Sequence, residues 1–132
     1  MLRLRISRMA YQPFARAAFW ISAATVLFLA LVPGPLGEIV KSDTERHWLA
    51  FLILPALAFV GWPKMGVVKL WLCFATFGAS IEVAQWAMNL GRQAQWSDWT
   101  HDLIATTISL AIAWIARLAT DRLAPDSAAP PN

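Results

Sequence analysis

Apolar residues gather in four long runs, roughly 14–32, 46–62, 67–88 and 99–117, separated by short stretches rich in Pro, Gly and charge. Each run is near the about 20 residues that a membrane-crossing helix needs. The pattern predicts an all-α chain, a polytopic membrane protein built as a four-helix transmembrane bundle. The second run contains Pro55. A proline is tolerated in a span when neighbouring helices re-satisfy the carbonyl it frees, so a kinked helix is expected there. The fourth run carries Asp102 near its start, and its clean apolar part covers only 103–116. A re-entrant fourth segment with three full spans is the alternative.

The breakers between runs are explicit. Pro33-Gly34-Pro35 ends the first run, Gly61-Trp62-Pro63 makes a tight turn into the third, and Asn89-Leu90-Gly91 ends the third. The N-terminal basic segment resembles a signal peptide, but no small-x-small cleavage site follows the apolar run, so an uncleaved first span is expected. Three regions result: a basic cytoplasmic N-terminus at 1–13, a membrane domain at 14–118, and a disordered cytoplasmic tail at 119–132, rich in Pro and Ala toward its end.

Composition agrees. The 132 residues are 58% hydrophobic and 14% charged, where a soluble domain would be about 25% charged. Nucleic acid is not an expected partner, because the basic residues flank the spans and do not line a soluble face. The single cysteine, Cys73, falls within the third run and excludes an intramolecular disulfide. A packing role is expected for it.

Lysines and arginines orient the chain. Arg3, Arg5, Arg8, Arg16, Lys64, Lys69, Arg117 and Arg122 fall on one side; Lys41, Arg46 and Arg92 fall on the other. This asymmetry is expected to place both termini in the cytoplasm. The tryptophans follow suit, with Trp62, Trp71 and Trp114 toward the inner edge and Trp48, Trp86, Trp96 and Trp99 toward the outer one.

The third run departs from pure apolarity at Glu82 and Gln85, three residues apart and so on one helical face. An ionisable group within a span is costly and marks function by default. The other chemistry-bearing residues fall at the same outer edge. Asp43 and His47 open the second helix, Arg92, Ser97 and Asp98 precede the fourth, and His101 and Asp102 lie in its first turn. Gly78, Glu82, Gln85 and Asn89 share one stripe of the third helix; Asp98, Asp102 and Thr106 share one of the fourth. Three such stripes are expected to converge on a polar site, with Glu82 paired to Arg92, His47 or both. The N-termini of the second and fourth helices offer donors to an anion; Ser42 to Glu45 also fits a capping box, which would satisfy the second helix internally.

In these residues the chain resembles the VanZ-like family of small bacterial membrane proteins. The likeness runs from about 43 to 113. The family's Asp-Lys-x-x-His reads here as Asp43-Thr44-Glu45-Arg46-His47, and its Glu-x-x-Gln as Glu82-Val83-Ala84-Gln85. Arg92 follows. The family's Asp-x-x-x-Asn-x-x-Gly reads Asp98-Trp99-Thr100-His101-Asp102-Leu103-Ile104-Ala105. Thr44, Asp102 and Ala105 depart from that pattern. The family is named after a teicoplanin-resistance protein, so the resemblance implies a cell-envelope role and a set of residues without naming a reaction.

Three functions compete. In the first, Asp43, His47, Glu82, Gln85, Arg92, Asp98 and Asp102 bind an anionic ligand, either a lipid-linked envelope intermediate or a glycopeptide-like molecule, with Arg92 on the anion. In the second, the chain is a non-catalytic accessory subunit of a larger membrane complex and the polar cluster locks its helices together. In the third, it is a hydrolase or transferase acting on a lipid phosphate, with His47 as base or nucleophile and Glu82 or Asp98 orienting it. No cofactor is expected. His47, His101, Glu82 and Asp98 include suitable zinc ligands, yet they are dispersed along the sequence, and no metal is expected either.

Overall fold

Four α-helices make up the protein: α1 (Leu2–Leu31), α2 (Asp43–Gly61), α3 (Val67–Met88) and α4 (Trp96–Arg122). This computed structural model describes residues 2–32, 43–88 and 95–122, with side chains described at 10–32, 44–88 and 95–122. The all-α bundle read from the apolar runs is present, and no strand occurs among the described residues.

Three helical stretches are long and apolar enough to cross a membrane: Ala10–Leu31, Val67–Met88 and Trp96–Arg122. They make the chain a membrane protein. The second helix falls short of that standard. Its first turn is spent on Asp43, Thr44, Glu45, Arg46 and His47, so its apolar part begins only at Trp48. From there to Gly61 it rises about 20 Å, against the roughly 30 Å of a hydrocarbon core.

What α2 lacks in length it supplies in burial. It packs against all three other helices, most extensively against α4 and α1, while α1 and α4 hardly meet. Phe51, Leu54 and Ala58 lie in the core with Leu70, Phe74 and Ile81 of α3 and Ala105 and Leu110 of α4. Pro55 is also fully buried. It leaves the Phe51 carbonyl without its intrahelical donor. One residue further on, the Leu52 carbonyl accepts the Ser109 hydroxyl of α4 at 2.7 Å, so a neighbouring helix supplies a donor beside the break.

Exposed apolar side chains cover the outside, among them Phe14, Ile21 and Phe28 on α1, Val68 and Leu72 on α3, and Ile112 and Ile115 on α4. This is the surface that a bilayer takes up. Two helices are longer than their apolar runs: α1 begins within the basic segment and carries Pro13 inside it, and α4 continues to Arg122. Residues 119–122 of the expected tail are therefore helical; the remainder of that tail lies outside the described residues.

The turn expected at Gly61-Trp62-Pro63 is present, closed by the Met65 N–H donating to the Trp62 carbonyl at 2.9 Å. At this end of the bundle Arg16 donates from Nε to the Gly61 carbonyl at 2.7 Å and lies 5.5 Å from the Trp62 ring centroid. Arg117 lies over Phe59 and reaches the Pro63 carbonyl. Arg16, Lys64 and Arg117 thus share the end of α2 opposite to His47, as their expected common side required.

Candidate functional site

At the other end, α2 and α4 begin and α3 finishes. His47 sits one turn into α2, Glu82 two turns before the end of α3, and Asp98 and Asp102 in the first two turns of α4. Helical spacing puts Gly78, Glu82 and Gln85 on the buried face of α3, and Asp98, Asp102, Ala105, Thr106 and Ser109 on that of α4. The expected stripes are the buried ones, and they converge.

His47 is the centre. Its Nδ1 lies 2.8 Å from Asp102 Oδ1, a hydrogen bond between fully packed side chains 55 residues apart. Its Nε2 faces Glu82 Oε1 at 3.9 Å. One ligating atom each from His47, Glu82 and Asp98 lies within 4.8 Å of the others. The imidazole is also stacked parallel to the Phe51 ring of the next turn, which helps hold its plane.

The carboxylates are held individually. Glu82, 1% exposed, accepts the Gln95 backbone N–H at Oε2 (2.8 Å), which ties the end of α3 to the start of α4. Asp98 stands in the first turn of α4, where the helix dipole favours a negative charge. His101 lies 3.7 Å from it through Nδ1. Asp102 is fully buried and directs Oδ2 toward Gly78, where an added Cβ would come within 2.6 Å of that oxygen. Glycine here is what lets α4 bring Asp102 close enough to reach His47.

Two further groups secure the geometry. The Trp99 indole N–H donates to the Ala75 carbonyl at 3.0 Å, pinning α4 to α3 about one turn before Gly78. The Gln85 side chain donates to the Ala30 carbonyl of α1 at 3.1 Å, so it ties α1 to α3. Among the described residues, hydrogen-bond partners reach neither Glu82 Oε1, Asp102 Oδ2, Thr106 Oγ1 nor His101 Nδ1.

Of the residues singled out in the sequence, His47, Glu82, Asp98 and Asp102 come together, and His101 borders them. Ser97 is exposed. Asp43 opens α2, with its side chain outside the described residues, and Arg92 lies outside them altogether; of the two partners expected for Glu82, His47 faces it at 3.9 Å without a hydrogen bond. The orienting partner of His47 is Asp102, in place of the Glu82 or Asp98 expected from sequence. Trp99 was read only as an interfacial ring; its indole hydrogen bond has no sequence signature.

The fold and this cluster define the class: an α-helical membrane bundle with a buried histidine and three carboxylates at one end. Comparison with protein-family models, with curated proteins and with solved structures finds no match to this chain.

Proposed function

We propose that this protein binds an anionic ligand of the bacterial cell envelope, lipid-linked or glycopeptide-like, at the His47 end of the bundle. The proposal places that end at the outer edge of the inner membrane with both termini in the cytoplasm. The observation that carries it is Glu82 Oε1. This oxygen is almost completely buried, has no hydrogen-bond partner among the described residues, and stands 3.9 Å from an imidazole nitrogen, beyond bonding distance. A polar lock between helices would close on itself, since a buried unpaired acceptor costs about 1–3 kcal/mol. This one is left open, as a binding site is before its ligand arrives. The likeness to VanZ-like proteins supports an envelope ligand and a role in resistance to glycopeptide antibiotics.

Three carboxylates do not by themselves attract an anion. In this reading Arg92, outside the described residues, supplies positive charge, and the ligand's hydroxyl or amide donors meet Glu82 and Asp98. A second reading is favoured by the His47–Asp102 pair. A carboxylate on Nδ1 fixes the imidazole tautomer that exposes a basic Nε2, an arrangement suited to general-base hydrolysis or transfer at a lipid phosphate.

Native mass spectrometry from gentle detergent tests both. Wild type is expected to retain a lipid-linked envelope precursor that Glu82→Gln does not. A stoichiometric protein partner without specific lipid would replace the proposal with the accessory-subunit reading. Turnover of an added lipid phosphate by wild type, lost in His47→Ala, would select the enzymatic one.

A further inference from the structure

We infer that His47, Glu82 and Asp98 form a binding site for one divalent transition-metal ion, zinc or manganese, with Asp102 as the residue that orients the histidine. The inference does not depend on the identity of any envelope ligand.

The geometry starts from the imidazole. With Nδ1 committed to Asp102 at 2.8 Å, Nε2 is the nitrogen that faces Glu82, and a ligating oxygen of Asp98 lies within 4.8 Å of ligating atoms of both. A histidine whose far nitrogen donates to a carboxylate is the usual support of a metal-bound imidazole, because that bond fixes the ring and raises its basicity. Glu82 is arranged in the same way. Its Oε2 is committed to the Gln95 N–H, and Oε1 is left over, turned toward the same point as Nε2.

Distances fit a small contraction. Ligand atoms around tetrahedral zinc stand about 3.4 Å apart, given bond lengths of about 2.0–2.1 Å. His47 Nε2 and Glu82 Oε1 are 3.9 Å apart, and all three ligating atoms lie within 4.8 Å of one another. Closing to that spacing takes about 0.5 Å between His47 and Glu82 and at most about 1.4 Å for any other pair, a range that side-chain rotation covers.

Electrostatics calls for a cation. Asp102, Glu82 and Asp98 are 0%, 1% and 6% exposed, and the imidazoles of His47 and His101 stand against them. Buried carboxylates this close need compensating positive charge, and a doubly charged ion shared by two of them supplies it. One imidazole with two carboxylates suits zinc or manganese better than calcium, which takes oxygen ligands throughout, or copper(I), which favours sulfur. Three protein ligands leave at least one coordination position open. A phosphate oxygen could occupy it, which would give an anionic ligand the positive centre that the carboxylates deny it.

The sequence offered these ligands but not their proximity, because they come from three helices. Dispersed residues argue against a metal only while their spacing in the fold is unknown.

The test uses the full chain, purified without a histidine tag, stripped with chelator and titrated with zinc and, separately, manganese. Metal content by mass spectrometry and binding by calorimetry are the readouts. Wild type is expected to bind one ion of zinc or manganese per chain. Asp102→Asn is expected to weaken binding about 10–100-fold, as loss of an orienting carboxylate does, and His47→Ala by more than about 100-fold. Should His47→Ala fail to fold, Glu82→Gln, which preserves volume, takes its place with the same expectation. Absence of stoichiometric binding in wild type, or equal binding by wild type and all folded variants, would overturn the inference. Neither result depends on whether an envelope lipid co-purifies.

Discussion

The Nδ1 of His47 and the Oδ1 of Asp102 lie 2.8 Å apart, joining the start of α2 to the second turn of α4 inside the bundle. This hydrogen bond determines which nitrogen of His47 faces the remaining carboxylates. It should also matter to stability. Asp102→Ala strands a buried N–H and is expected to cost about 1–3 kcal/mol. Asp102→Asn retains an acceptor of the same shape, so its cost should be smaller. Unfolding in mixed detergent micelles measures both, and equal losses would show that shape contributes nothing to the bond.

Gly78 and Asp102 are matched by contact. A Cβ at position 78 would meet Asp102 Oδ2 at 2.6 Å, Trp99 Cδ1 at 3.2 Å and Phe51 Cζ at 3.3 Å. Gly78→Ala is therefore expected to destabilise the bundle by about 1–3 kcal/mol, the usual range for overpacking. Removing the nearest obstacle should relieve part of that cost. In an Asp102→Ala background the same change is expected to be less damaging, with a coupling of about 0.5–3 kcal/mol in a double-mutant cycle. Strict additivity would mean that Trp99 and Phe51, not Asp102, set the limit.

Arg16 closes the opposite end of α2 by donating to the Gly61 carbonyl at 2.7 Å while lying over Trp62. A lysine keeps the charge but loses the planar fork that makes both contacts at once. Arg16→Lys is expected to lose most of what Arg16→Ala loses, about 1 kcal/mol for this exposed site. Unfolding of the two variants side by side is the check; full retention of stability by Arg16→Lys would reduce the contact to a charge effect at a helix C-terminus.

The number of helices, their approximate extents and their buried faces follow from the sequence, because apolar periodicity and chain breakers act within about one turn of where they stand. Glu82, Asp98 and Asp102 could be placed on inward stripes for the same reason. Even the grouping of Arg16, Lys64 and Arg117 at one end was legible from the alternation of runs and turns.

Which residue meets which was not. Asp98 and Asp102 share one stripe of α4, about one 5.4 Å turn apart, so either could have served the His47 Nδ1. The axial register of α4 against α2 assigns it to Asp102, and that register depends on packing among residues distant in sequence: Phe51, Gly78 and Trp99 at the cluster, Leu52 and Ser109 below it. Gln85 shares the stripe of Glu82 yet bonds to Ala30, because α1 covers that part of α3. A helical sequence specifies a face by local repetition. The partner of that face, and the gathering of three carboxylates about one histidine, are settled only when four helices choose their rotations and heights together.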